Sequence, residues 1–286
     1  MVLACAFTAD KGGEARAIRD HANRMVSVPD NPEHVVSLAP SITEIIFALG
    51  EGGRLKGVTQ HCDFPAAART LPKIGSYVHL DLEKIVALKP DLCIAVRDGN
   101  PRSAVERLEA LGIPVYAVDP RQLDTVADTI LEIGRLLNAT PKAQCLANEM
   151  RSRIERVKAR VAGAQGKPGV FSQIGIVPIV SAGSNTLMHE LITAAGGRNL
   201  ADGPTSYPRF SREQVLALQP EVIIITSMTR GADLDQVREE WKQFDSLPAV
   251  RNKRIFLVDA NLFDRATPRL IEGLETLAGI IHPELF

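Results

Sequence analysis

Apolar and polar positions along the chain switch repeatedly between a period of two and a period near 3.6. Val35-Val36-Ser37-Leu38 is a short apolar run that stops at Ala39-Pro40. The residues after it set Ile45, Ile46 and Leu49 on one helical face before Gly50 ends the pattern. Ser41 and Glu44 fit an S-x-x-E capping box at the start of that helix. The same strand, turn and helix then recur, with strands predicted near 55–59, 91–96 and 115–118 and helices near 81–88, 103–111 and 125–137. Such alternation predicts right-handed βαβ crossovers and a mainly parallel sheet, so the fold class is α/β. Residues 6–33, polar and mixed, read as a leader with one short strand at Arg24–Val28.

From Thr140-Pro141 to Ala162-Gly163 the chain runs without a breaker. Leu146, Met150, Ile154, Val157 and Val161 form one stripe of helical spacing. A helix of this length spans roughly 34 Å, more than a crossover inside one small sheet needs. It reads as a spine joining two lobes; a long surface helix on a single domain is the plainer alternative. Gly166-Lys167-Pro168-Gly169 breaks the chain, and strand and helix patterns resume near 170–174, 186–195, 213–218, 222–226 and 254–258. The predicted organisation is a leader over 1–33, an N-terminal α/β lobe over 34–140, a connecting helix over 141–165 and a C-terminal α/β lobe over 166–286. The two lobes carry mainly parallel sheets.

An internal repeat supports two lobes. Leu82-Glu83-Lys84-Ile85-Val86-Ala87-Leu88-Lys89-Pro90-Asp91-Leu92-Cys93-Ile94 is echoed, 212 − 82 = 130 positions later, by Arg212-Glu213-Gln214-Val215-Leu216-Ala217-Leu218-Gln219-Pro220-Glu221-Val222-Ile223-Ile224. Glutamate, apolar positions, proline and the closing acid all return in register.

Composition narrows the partners. The 286 residues carry 33 Lys plus Arg against 34 Asp plus Glu, so no bulk field favours nucleic acid or an anionic membrane. No apolar run approaches the roughly 20 residues of a membrane-spanning helix. The cysteines Cys5, Cys62, Cys93 and Cys145 show no zinc-finger spacing. Val2-Leu3-Ala4-Cys5 resembles the end of a bacterial lipoprotein signal, which makes Cys5 a candidate for lipidation and membrane anchoring.

Nucleotide-loop, nucleophile-elbow and H-E-x-x-H motifs are absent, so no catalytic residue is assigned and no enzyme is predicted. Candidate binding residues collect where strands end, the edge at which α/β proteins hold ligands. His61 follows the second strand with Cys62 beside it; it reads as a metal ligand or as a solvated loop histidine. Tyr77 before the first repeated helix parallels Tyr207 before the second, each a flat face for a ligand or an ordinary half-buried ring. Arg97 with Asp98, and Asn261 with Phe263 and Arg265, follow further strands. Glu83 and Glu213 open the repeated helices, where a helix dipole favours a carboxylate. Their recurrence also suits a partner that grips both lobes through arginines.

The run Val36–Glu44, the loop Gly57–Pro65, the phrase Leu82–Asp91 and Phe210-Ser211-Arg212-Glu213-Gln214 resemble the periplasmic binding proteins of cobalamin and iron-chelate ABC importers. The likeness runs over about residues 34–280 and is strongest to the cobalamin binders. It implies a class III architecture of two α/β lobes joined by a helix, with ligand held in the cleft, no chemistry performed, and no cofactor beyond the cargo. By resemblance Ser41, His61, Tyr77, Arg97, Ile174, Tyr207, Asn261 and Phe263 fall at or near a corrin, and Arg265 is a further candidate. His61 is a possible axial ligand to cobalt. Glu83 and Glu213 fall on the glutamates that dock onto a membrane permease, which works with its ATPase. The implied protein is a periplasmic monomer that binds no nucleic acid. Aromatic residues of the family give way here to His61, Val96, Ile174 and Leu262, and tryptophans to Tyr77 and Tyr207, so the expected cleft is less aromatic. Haem and ferric chelates remain alternative cargoes, and a cytoplasmic two-lobed α/β enzyme is the alternative of another class.

Overall fold

A computed structural model describes residues 15–227 and 233–286; Cys5 lies outside them. The chain divides into two compact units, the first running through Thr43 and then over Gly50–Val118 and Arg135–Ala139, the second comprising Glu44–Leu49, Asp119–Gly134 and Thr140–Phe286.

The first unit opens with β1 (Ala15–Arg19) and β2 (Met25–Pro29), followed by β3 (Val35–Ser37), the first turn of α1 (Pro40–Ala48), whose remainder groups with the second unit, and then β4 (Leu55–Val58), α2 (Leu82–Ala87), β5 (Leu92–Val96), α3 (Arg102–Ala110) and β6 (Val115–Val118). Its sheet is parallel throughout, in the order β4-β3-β5-β6. The strands are apolar on both faces, as a sheet covered by crossover helices must be. Val36, Leu38, Ile85, Cys93, Leu108 and Val115 share one core.

The leader is a hairpin, not a single strand: β1 pairs antiparallel with β2. It covers the sheet's β6 edge. The buried Asp20 at its turn takes hydrogen bonds from the amides of Ala22 and Arg24 and from Ala117 of β6, while the Arg24 guanidinium reaches the Val115 carbonyl at 3.0 Å. A parallel sheet with an open edge strand exposes unpaired amides, and the hairpin turn supplies partners for them.

The second unit contains α4 (Leu123–Leu136) in large part, then α5 (Thr140–Val161), β7 (Gly169–Gln173), β8 (Ile179–Val180), α6 (Leu187–Ala194), β9 (Arg198–Asn199), β10 (Arg209–Phe210), α7 (Arg212–Leu218), β11 (Val222–Ile225), α8 (Leu234–Lys242), α9 (Pro248–Arg251), β12 (Ile255–Leu257), α10 (Ala260–Phe263) and α11 (Leu270–Ile281). Its parallel sheet has the order β12-β11-β7-β9, and β8 pairs with β10 in a small antiparallel ribbon. Phe171, Val215, Ile223, Ile225 and Trp241 anchor its core.

Helix α5 groups with the second unit and packs on α11. The helix buries Ala143, Ala147, Met150, Ile154, Val157 and Val161, while Leu146 is only half-buried. Small alanines take the closest approach, so the stripe begins one turn off its expected line. Arg153 clamps the pair with a two-pronged bond to Glu275, at 2.9 and 2.6 Å.

The repeat has a structural cause. Asp91 takes hydrogen bonds from the Glu33 and His34 amides just before β3, and its own amide donates to the His34 carbonyl. Glu221, its counterpart, accepts from the Gly169 amide at 2.8 Å and donates its amide back to the Gly169 carbonyl. Lys89 and Gln219 both turn the chain through positive φ, at 49° and 48°, ahead of Pro90 and Pro220.

The expected Ser41–Glu44 capping box does not form, because α1 begins at Pro40 and places Ser41 inside its first turn. Glu44 is buried and its two oxygens accept from Arg265 Nη1 and Arg269 Nε, each at 2.9 Å. Removing one member of a buried ion pair strands the others, so Glu44→Ala is expected to cost about 3–5 kcal/mol in urea unfolding. A loss under about 1 kcal/mol, the value of a solvated pair, would show that these charges are not carrying the burial.

Candidate ligand-binding site

In each sheet the chain leaves the first-formed strand to one side and then the other. The switch falls between β3 and β5 in the first unit and between β7 and β11 in the second. At such a point the loops beyond the strand ends part and leave a crevice for ligand.

In the first unit, His61 stands just past β4, half-buried, with its Nε2 3.0 Å from Gln60 Nε2. Its neighbour Cys62 is buried and points inward, its Sγ 3.2 Å from both Thr43 Oγ1 and Thr59 Oγ1. Cys62 and Cys93 are both free thiols, and burial pushes Cys93 up to about 12, leaving it unreactive. Tyr77 sits in the loop before α2 with 36% of its surface exposed. Arg97 and Asp98 are exposed past β5, and Ser41 is half-buried in the first turn of α1.

In the second unit, Ile174 follows β7 half-buried, its amide bonded to the Val180 carbonyl. Tyr207 is 55% exposed ahead of β10. Asn261 lies in α10, and its side-chain amide donates to Asp259, the cap of that helix, at 2.8 Å. Two expected residues are withdrawn from the ligand surface by packing. Phe263 is 1% exposed and belongs to the core, and Arg265 is buried against Glu44.

Glu83 and Glu213 are both exposed in the first turns of α2 and α7. Asp81 caps the first helix and Ser211 the second, where Gln214 completes a capping box. The Ser211 hydroxyl holds the Glu213 carboxyl below its ordinary range, so it is firmly ionised. The caps satisfy both helix starts, and the two glutamate side chains are exposed beside them.

A family model described as periplasmic binding protein matches residues 35–262. The chain belongs to the periplasmic binding protein family. It is 32% identical over 246 residues to the vitamin B12-binding protein of Yersinia pestis strain Pestoides F, covering 86% of this chain and 85% of that one. Among solved structures, the periplasmic vitamin B12 binding protein BtuF of Vibrio cholerae is 29% identical with a TM-score of 0.79, covering 89% of this chain and 98% of its own. A periplasmic heme binding protein of Pseudomonas aeruginosa is 28% identical with a TM-score of 0.81, covering 89% and 94%. The α/β reading and the family resemblance both hold. The relatives are named as binders, not enzymes. Within the described residues of this periplasmic binding protein no helix is long and apolar enough to cross a membrane, and no three His, Cys, Asp or Glu gather to hold a metal.

Two residues at the strand ends escaped the sequence reading. Asn100, 7% exposed, bonds to the ends of both β3 and β5 and is taken up below. Asp264 accepts from Thr226 Oγ1 at 3.1 Å, just past β11. Burial raises its carboxyl to about 6, with the charge of Asp259 adding to the rise. Neither stands out in sequence, since each sits in an ordinary polar loop. A carboxyl raised on folding loses its proton first in the unfolded chain, so stability falls as pH climbs from about 4 to about 6. Asp264→Asn is expected to match the parent protein at pH 4 and to exceed it by a few kcal/mol at pH 8. Equal unfolding midpoints at pH 8 would place the carboxyl in water.

Proposed function

We propose that this periplasmic binding protein captures a cobalamin outside the inner membrane and delivers it to the permease of an ABC importer. The likeness to vitamin B12-binding relatives, over more than four-fifths of both chains, carries the reading. The exposure of individual side chains supports it. His61, Tyr77, Tyr207 and Arg97 stand at the strand ends with surface to offer, a mixture suited to a flat macrocycle fringed with amides. Ser41 past β3, and Ile174 and Asn261 past β7 and β12, are half-buried and would supply the smaller contacts. His61 would take the cobalt's open axial position as a neutral imidazole. No chemistry is asked of the protein; it gives up its cargo when the permease binds the form of the protein that holds cobalamin less well. Glu83 and Glu213, exposed and at equivalent places in the two repeats, would be the grips for permease arginines. Function outside the membrane requires export, to which an acyl chain on Cys5 would add an anchor.

Heme binders of comparable likeness make haem the second reading. Titration with aquocobalamin, cyanocobalamin and haemin, followed by calorimetry and visible spectra, separates them. One-to-one binding of cobalamins is expected, with a band shift for the aquo form that disappears in His61→Ala. Binding of haemin alone would overturn the assignment, and an unaltered aquocobalamin spectrum in His61→Ala would remove the cobalt–histidine bond. For delivery, Glu83→Arg with Glu213→Arg is expected to leave cobalamin affinity intact while abolishing ATPase stimulation of the reconstituted importer. Full stimulation by this double variant would exclude these glutamates as the grips.

A further inference from the structure

Resting on the cobalamin reading, we infer that Asn100 and Gly99 together position Tyr77 for the ligand and thereby set how tightly it is held. The switch point between β3 and β5 separates two strand ends that leave peptide groups without ladder partners. Asn100 closes the gap. Its Oδ1 accepts from the Val96 amide at 2.8 Å, at the end of β5, and its Nδ2 donates to the Leu38 carbonyl past β3, also at 2.8 Å. The second Nδ2 hydrogen goes to the Tyr77 carbonyl at 2.8 Å. Two carbonyls on one side and an amide on the other fix which end of the carboxamide is which, and both of its donor hydrogens are used.

The Tyr77 backbone is therefore tied to the sheet by the same side chain that joins the strand ends. Its ring has a matching seat. A Cβ built on Gly99 would come within 3.1 Å of Tyr77 Cδ2 and Cε2, so the ring lies close against bare backbone and any larger side chain there would have to push it aside. Carbonyl tether and flat seat hold an exposed aromatic in one orientation before ligand arrives, which lowers the ordering cost of binding. Asn100 touches no ligand in this account; it is a positioning residue.

Two substitutions test this. Asn100→Asp keeps the shape but turns a double donor toward acceptor-only chemistry, setting a carboxylate against two carbonyls. Gly99→Val leaves every hydrogen bond and removes only the seat. In ligand-free protein with ¹³C-labelled tyrosine, the ring-current shift that Tyr77 imposes on the Gly99 amide is expected to vanish in Asn100→Asp, and the Tyr77 ring signals to move in both variants while Tyr116 and Tyr207 keep theirs. Cyanocobalamin affinity is expected to fall about tenfold in each. In a Tyr77→Ala background, adding Gly99→Val is expected to change affinity by less than about twofold, because its effect runs through the ring.

Wild-type ring shifts in both variants, or a Gly99→Val loss that persists without Tyr77, would overturn the inference. Should Asn100→Asp not fold, Gly99→Val and the Tyr77→Ala background decide alone. Should the parent protein bind no corrinoid, the cobalamin reading fails, and the ligand-free spectra still decide: displaced Tyr77 signals uphold the positioning role and unmoved signals refute it.

Discussion

Both sheets depend on one constraint: a parallel strand that is apolar on both faces carries no polar side to fix its register. Val222-Ile223-Ile224-Ile225 could slide one step against its neighbours and bury much the same surface. Something outside the strand has to set the pairing. In each unit an acidic side chain at the head of a central strand, Asp91 or Glu221, grips the amide at the head of the neighbouring strand while the two backbones exchange a further bond. With the heads pinned, the carboxyl ends fall level, and every loop beyond them starts from a fixed height. The Pro-acid ending of the repeat is thus a register device, and it recurs because the same problem arises twice.

This explains what was legible in the sequence. Strands β3 to β6, β7 and β11 are short apolar runs with sharp ends, and the repeat announced two of them at once. The two-residue strands β8, β9 and β10 have no period to detect, since their pairing is set by neighbours distant in sequence. Strand β1 alternates Ala, Arg and Ile without a strong apolar face, and its partner only becomes visible in the fold.

The site was legible by position more than by role. The loops after strands do carry exposed or half-exposed side chains, His61, Tyr77, Arg97 and Tyr207 among them. In sequence Glu44 reads as a helix cap and Arg265 as a ligand contact, yet the two pair with each other. Local spacing suits Glu44 to a cap, yet the charge is satisfied 221 residues away, a distance over which spacing carries no information. The burial of Phe263 was hidden for a similar reason: one turn of α10 decides whether a ring faces solvent or core, and that turn is set by packing around it.

The two switch points meet the same topological demand with different chemistry. Where β3 and β5 part, a neutral carboxamide, Asn100, satisfies both strand ends and titrates at no accessible pH. Where β7 and β11 part, Thr226 closes the ends by donating its amide to the Gln173 carbonyl and its hydroxyl to Asp264. Asp264 is raised to about 6 because little water reaches it. The Asn100 joint is therefore indifferent to acidity, while the Thr226 joint rests on a group that changes charge near pH 6. The Tyr77 carbonyl is tied to the carboxamide joint, so its tether contains no group that changes charge with acidity.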